Sequence, residues 1–166
     1  KATRQEAPSD LFTQKELIVE FAELINLAQV AQVGVEADDL MYSLACDWAA
    51  DGGDAVLITT DKDMGQALTE HIFIYDAFKE VVHDTQSFAE KMSVPVDKLP
   101  FYFALLGDSS DNIPGVRGVG IKSAVAVVNQ FDSLEDLYER LDQVSATRVR
   151  NALEKEKENA FLSRQL

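Results

Sequence analysis

The apolar positions of the chain follow two periods. Leu17, Phe21, Leu24, Ile25 and Ala28 recur at helical spacing and predict a helix over residues 14–29, with Thr13 as its cap. Gly34 interrupts that pattern, and Leu40, Met41, Leu44, Ala45 and Trp48 then form the stripe of a second helix over 36–50, closed by Gly52-Gly53. Residues 55–60 are a continuous apolar run ending in Thr-Thr, which reads as a buried strand. A short helix over 64–68 and strands over 71–75 and, more weakly, 80–83 follow. Strand, helix, strand in this order predicts a parallel α/β sheet.

After Asp84 the pattern is helical: residues 85–92, a segment capped by Asp97 and reaching 106, 123–130, a segment from Ser133 to 141, and a charged helix over 146–162. Between them, 107–120 is rich in Gly, Pro and turn residues. The chain therefore divides into an α/β part, residues 1–84, and a helical part, residues 85–166. Neither shows an internal repeat or a low-complexity tract.

Composition narrows the classes. With 166 residues and 46% apolar content the chain can fill a core, which excludes general disorder. No apolar run approaches the ~20 residues that span a bilayer. Residues 1–10 are polar, unlike a secretory signal, so a cytoplasmic protein is expected. The single Cys46 excludes an internal disulfide and a multi-cysteine zinc site. The net charge of −14 opposes the basic footprint of a nucleic-acid binder. Seven acids singled out below account for half of that excess, and divalent ions among them would restore positive charge where a phosphate must sit.

Three acidic clusters carry the candidate chemistry. Glu36, Asp38 and Asp39 open the second helix, where acids also favour the positive end of the helix dipole. Asp61 and Asp63 follow the apolar strand, at the end of a parallel strand where ligands bind; Asp63 is equally suited to cap the next turn. Asp108 and Asp111 precede a Pro-Gly turn and, taken alone, make an ordinary polar turn. Together, oxygen-only donors from separate loops suit a pair of hard ions, Mg²⁺ or Mn²⁺, of the kind that supports phosphodiester hydrolysis. His71 and His83 have no partner at ligand spacing. A second kind of motif lies in Gly115, Gly118, Gly120, Lys122 and Ser123. Its Gly-x-Gly turn before an apolar helix suits either a tight interhelical connection or close backbone approach to a phosphate.

Gly34-Val-Glu-Ala-Asp-Asp-Leu40, Thr60-Asp-Lys-Asp-Met64 and Leu105-Leu-Gly-Asp-Ser-Ser-Asp-Asn-Ile-Pro-Gly-Val-Arg-Gly-Val-Gly120 occur in that order. The combination closely resembles the 5′→3′ exonuclease domain of bacterial DNA polymerase I, within the flap endonuclease family, over nearly the whole chain. The resemblance implies a parallel-sheet, three-layer nuclease core of resolvase-like (PIN-like) type, followed by a helical region with a helix-hairpin-helix over about residues 113–130. It implies a structure-specific 5′→3′ exonuclease and 5′-flap endonuclease using two Mg²⁺ or Mn²⁺ ions in DNA replication and repair. Glu36, Asp38, Asp39 and Asp61 resemble the ligands around the first ion, and Asp63, Asp108 and Asp111 those around the second. Gly115–Ser123 is similar to the hairpin that grips the duplex backbone and can hold K⁺. Lys1 and Arg4 resemble the arch residues that contact the scissile phosphate.

The partner expected is DNA with 5′ ends or flaps, in the bacterial nucleoid, with a DNA polymerase fused or cooperating. One departure stands out: the family's N-terminal strand, its metal-binding Asp and a further Asp before the arch have no counterpart here, so the resemblance describes a fragment whose sheet lacks its first strands. A non-catalytic helix-hairpin-helix DNA-binding module and a metal-dependent ribonuclease are the rival expectations. Retention of Asp63, Asp108 and Asp111 argues against relatives that lack the second site.

Overall fold

Pro8 opens the first helix of the computed structural model, which describes residues 8–109 and 111–166. Its φ of −53° suits entry into a helix and its carbonyl accepts the Leu11 N–H at 3.0 Å, so α1 (Ser9–Leu24) begins earlier than predicted and Thr13 lies inside it. Asn26, at φ +56°, turns the chain away after the helix. The predicted stripe is largely uncovered: Leu17, Phe21 and Leu24 are exposed, while Ala22 is buried. In α2 (Ala37–Ala50) Glu36 is the extended residue that precedes the helix, and Gly52 ends it at φ +85°. Ala45 is buried, whereas Leu44 and Trp48, assigned to the same stripe, are exposed.

Strand β1 (Ala55–Ile58) pairs in parallel with β2 (Ile72–Asp76), Ala55 facing Ile72 and Leu57 facing Ile74. The connection expected to be a short helix is a 3-10 turn at Asp63–Ala67. β3 (Val81–His83) returns antiparallel to β2, with Ile74 opposite His83. The parallel pair expected from sequence is present in β1 and β2, and the antiparallel β3 makes the sheet mixed. The link from Asp76 to Val81 is a tight turn, too short for the crossover that a parallel pair needs. Asp76 closes it, accepting the Phe78 and Lys79 N–H groups at 3.2 Å each. The run over β1 is also buried on one side only: Leu57 faces the core, but Val56 and Ile58 are 55% and 68% exposed.

Leu57, Ile72 and Ile74 join one core with Phe88, Leu99, Leu105, Phe131, Leu137 and Leu153 of the helical half. α3 (Thr85–Met92) opens on a capping box in which Asp84 Oδ1 accepts the Ser87 N–H and Ser87 Oγ accepts the Asp84 N–H. Asp97 falls in a 3-10 turn before α4 (Leu99–Leu106) and does not cap it. α5 (Ile121–Gln130) and α6 (Leu134–Glu139), capped by Ser133, follow. The last predicted helix is two, α7 (Thr147–Lys155) and α8 (Lys157–Gln165), broken at Glu156. The break lets α8 fold back along α4, beneath the turn that bears the third acidic cluster. Among the described residues no helix is long and apolar enough to cross a membrane.

Candidate active site

The loop after β1 is wired by its own side chains. Thr59 N–H pairs with Tyr75 O at 3.2 Å, which extends the sheet one residue past the strand. Thr59 Oγ1 then accepts the Asp61 N–H at 3.0 Å, and Asp61 Oδ1 accepts the Asp63 N–H at 2.9 Å. Asp61 and Asp63 are thus held beyond the carboxyl end of a parallel strand, as predicted, and the Asp63 side chain sits where the 3-10 turn begins. Its Oδ1 is buried without a hydrogen-bond donor among the described residues. Burial lifts its proton affinity above the ordinary carboxylate range; Lys62 opposes that shift, while the charges of Asp61 and Asp108 add to it.

The segment from Gly107 to Gly115 is a closed loop. Asp108 N–H donates to Ile113 O at 3.0 Å and Ile113 N–H to Asp108 O at 2.7 Å. Asn112 takes a left-handed conformation at φ +61° within it. α8 locks the base of the loop: Ser163 Oγ accepts the buried Gly115 N–H at 2.9 Å and donates to Asn159 O at 2.7 Å. Lys62 crosses from the β1 loop to this one, its ammonium 3.0 Å from Asp108 Oδ2, 3.6 Å from Asp63 Oδ1 and 5.1 Å from the centre of the Phe103 ring.

All seven sequence-predicted acids, Glu36, Asp38, Asp39, Asp61, Asp63, Asp108 and Asp111, line a single cavity of about 920 Å³. They reach it from the start of α2, the β1 loop and the closed loop, segments far apart in sequence. The cavity gathers the acids without packing them together: among the described residues no three His, Cys, Asp or Glu side chains stand close enough to hold an ion jointly. Tyr42, Phe103 and, from α8, Ser163 and Arg164 also line it. None of these four is marked by local sequence pattern; Arg164 arrives only because the chain breaks at Glu156. Lys1 and Arg4 lie outside the described residues.

The hairpin motif leads from α4 into α5. Gly115 and Gly118 have φ of +59° and +100°, which favours glycine, whereas Gly120 is extended before the helix with open space at its Cβ position. Lys122 is exposed and Ser123 half-buried in the first turn of α5, an end whose free N–H groups suit a phosphate.

Residues 1–93 match the model of the 5′-3′ exonuclease N-terminal resolvase-like domain, and residues 94–166 that of the 5′-3′ exonuclease C-terminal SAM fold. The chain belongs to the 5′-3′ exonuclease family. The chain is 36% identical, over its full length, to DNA polymerase I of Caldicellulosiruptor bescii, of which it covers 20%. It is 32% identical to the 5′-3′ exonuclease of Buchnera aphidicola subsp. Schizaphis graminum, of which it covers 60%. It thus spans only part of these relatives. A zinc-bound 5′-exonuclease of T5 superposes with a TM-score of 0.82 at 24% identity, over 98% of this chain and 62% of that one. The T5 flap endonuclease in a pseudo-enzyme–product complex with DNA and metal ions gives 0.80 at 24% identity, over 98% and 61%. At that identity the likeness establishes the fold: a resolvase-like α/β part and a helical part, as expected from sequence.

Proposed function

We propose that this chain carries the cutting site of a structure-specific 5′→3′ exonuclease and 5′-flap endonuclease acting on DNA in replication and repair. The observation that carries the reading is the convergence of all seven acids on one cavity from three separate segments. The donor set fits hard divalent cations: every candidate ligand is a carboxylate, and Asp63 Oδ1 is buried and still lacks a hydrogen-bond donor among the described residues. Glu36, Asp38, Asp39 and Asp61 would hold one Mg²⁺ or Mn²⁺, and Asp63, Asp108 and Asp111 a second. Such a pair supplies, when bound, an activated water and neutralisation of the charge that develops on the phosphate.

The chain's own residues do the rest. The Thr59–Asp61–Asp63 wiring fixes the Asp61 carboxylate and the backbone of both acids before any substrate arrives. Gly118, Gly120, Lys122 and Ser123 offer backbone N–H groups and one cation to the sugar-phosphate chain, while Gly115, its own N–H held by Ser163, shapes the turn, with K⁺ as a further occupant of the hairpin. Contacts of that kind select nucleic-acid shape over sequence. Lys1 and Arg4 complete the phosphate contacts in this reading, in which a bacterial cytoplasmic protein works fused to or beside a DNA polymerase. The names of the relatives, DNA polymerase I and 5′-3′ exonuclease, support it.

The test is Asp61→Ala in the intact protein, assayed on a 5′-flap DNA with Mg²⁺. Loss of cleavage by ~10²-fold or more is expected, the scale at which removal of a preorganised charged group acts. Undiminished turnover overturns the assignment. Metal-independent binding without product would favour the DNA-binding module instead, and faster cleavage of RNA the ribonuclease.

A further inference from the structure

Lys62 stands between the two acids of its own loop, yet its ammonium is spent on the loop that carries Asp108. Three features hold it there. Asp108, only 18% exposed at the side chain, accepts its hydrogen bond at 3.0 Å. Asp63 Oδ1, buried and otherwise without a donor among the described residues, lies 3.6 Å away. The Phe103 ring, from α4, offers its face at 5.1 Å. One ammonium therefore bridges two carboxylates assigned above to one ion, and its hydrogen-bonded partner Asp108 lies 46 positions from it along the chain. A cation that serves both must displace it, because the oxygens that face Lys62 are those an ion would use.

We propose that Lys62 is a resident counter-ion of the Asp63–Asp108 pair, a positioning residue that a divalent ion must expel before it binds there. The inference rests on the metal-site reading of these two acids. It assigns Lys62 two effects. Without the ion it keeps the β1 loop and the closed loop drawn together against carboxylate repulsion. With the ion it acts as a competitor, setting the concentration at which the second site fills. The competition is modest, because the ammonium side chain is 47% exposed and an ion pair of that exposure is partly screened. Its loss should shift ion affinity by about two- to fivefold.

Thermal unfolding of the full chain, followed while MnCl₂ or MgCl₂ alone is titrated, reads this without any catalytic turnover. Lys62→Met should lower the melting temperature in the absence of the ion and reach half-maximal stabilisation at about two- to fivefold lower ion concentration. Lys62→Arg, which keeps the charge, should stay at or above the wild-type midpoint. In an Asp108→Asn background the Lys62→Met shift should shrink, since the hydrogen-bonded partner is gone and only the longer contact to Asp63 remains. A wild type that responds to the ion, with a Lys62→Met midpoint unchanged or raised, overturns the counter-ion role and leaves the metal site standing. No response in either protein overturns both.

Discussion

A Cβ placed on Gly115 would lie 2.5 Å from the backbone nitrogen of Gly107, and one on Gly107 would lie 2.6 Å from that of Gly115. Each glycine excludes a side chain at the other, and both have positive φ, +67° and +59°. Gly107 sits at ψ −178°, a region open essentially to glycine alone. Gly107→Ala or Gly115→Ala should therefore cost roughly 2–4 kcal/mol, through both strain and contact. Urea unfolding monitored by far-UV circular dichroism checks it; a loss no larger than that of an exposed Gly→Ala change would contradict the contact.

Ser163 tests how the closed loop is anchored. With Ser163→Ala the buried Gly115 N–H loses its acceptor at 2.9 Å, while no volume is added. An unsatisfied buried donor should cost about 1–3 kcal/mol. The local signature is faster hydrogen exchange at the Gly115 amide. An unchanged exchange rate there would show that α8 is not the anchor.

His83 supplies a pH dependence. Its ring meets Phe88 edge-on at 5.8 Å, and both ring nitrogens are buried without hydrogen-bond partners among the described residues. Burial pushes its pKa below the ordinary imidazole value; Lys91 and Lys79 act in the same direction, and Asp76 and Asp84 oppose them. In the unfolded chain the ring takes its proton near pH ~6.5, before the folded protein does. Its contribution to stability is thus fully present above ~6.5 and is lost as pH falls from there toward the lower folded-state pKa. Urea midpoints across pH 5–8 should decline on the acid side, and His83→Phe should flatten that decline. A variant with the wild-type slope would place the effect elsewhere.

Where local rules act unopposed, the sequence reads directly. Asp84 and Ser87 complete their capping box within four residues, so α3 is bounded as predicted, Thr85–Met92. Thr13 looked like a cap of equal quality, but Pro8 supplies an earlier start and the helix takes it. Residues 146–162 carry an unbroken helical pattern; the break at Glu156 is imposed by packing, since it lets α8 reach α4 and Ser163 reach Gly115. The apolar run of β1 has no polar alternation to show that one side faces outward. In the site, the acids announce themselves because each cluster is local. Lys62 was visible within its motif but carried no role, because its partner Asp108 is distant in sequence and meets it only in the fold.

The outward side of β1 has a consequence for the protein in solution. Val56, Ile58 and, two strands over, Val82 leave more than half of their surfaces in water. At low ionic strength the net charge of −14 keeps copies of the chain apart. Added salt shortens the reach of that repulsion to ~10 Å at 0.1 M and leaves the apolar surface as sticky as before. For this stretch of chain taken by itself, added salt should therefore favour self-association and weak buffer should keep it dispersed, which light scattering across ionic strength would read.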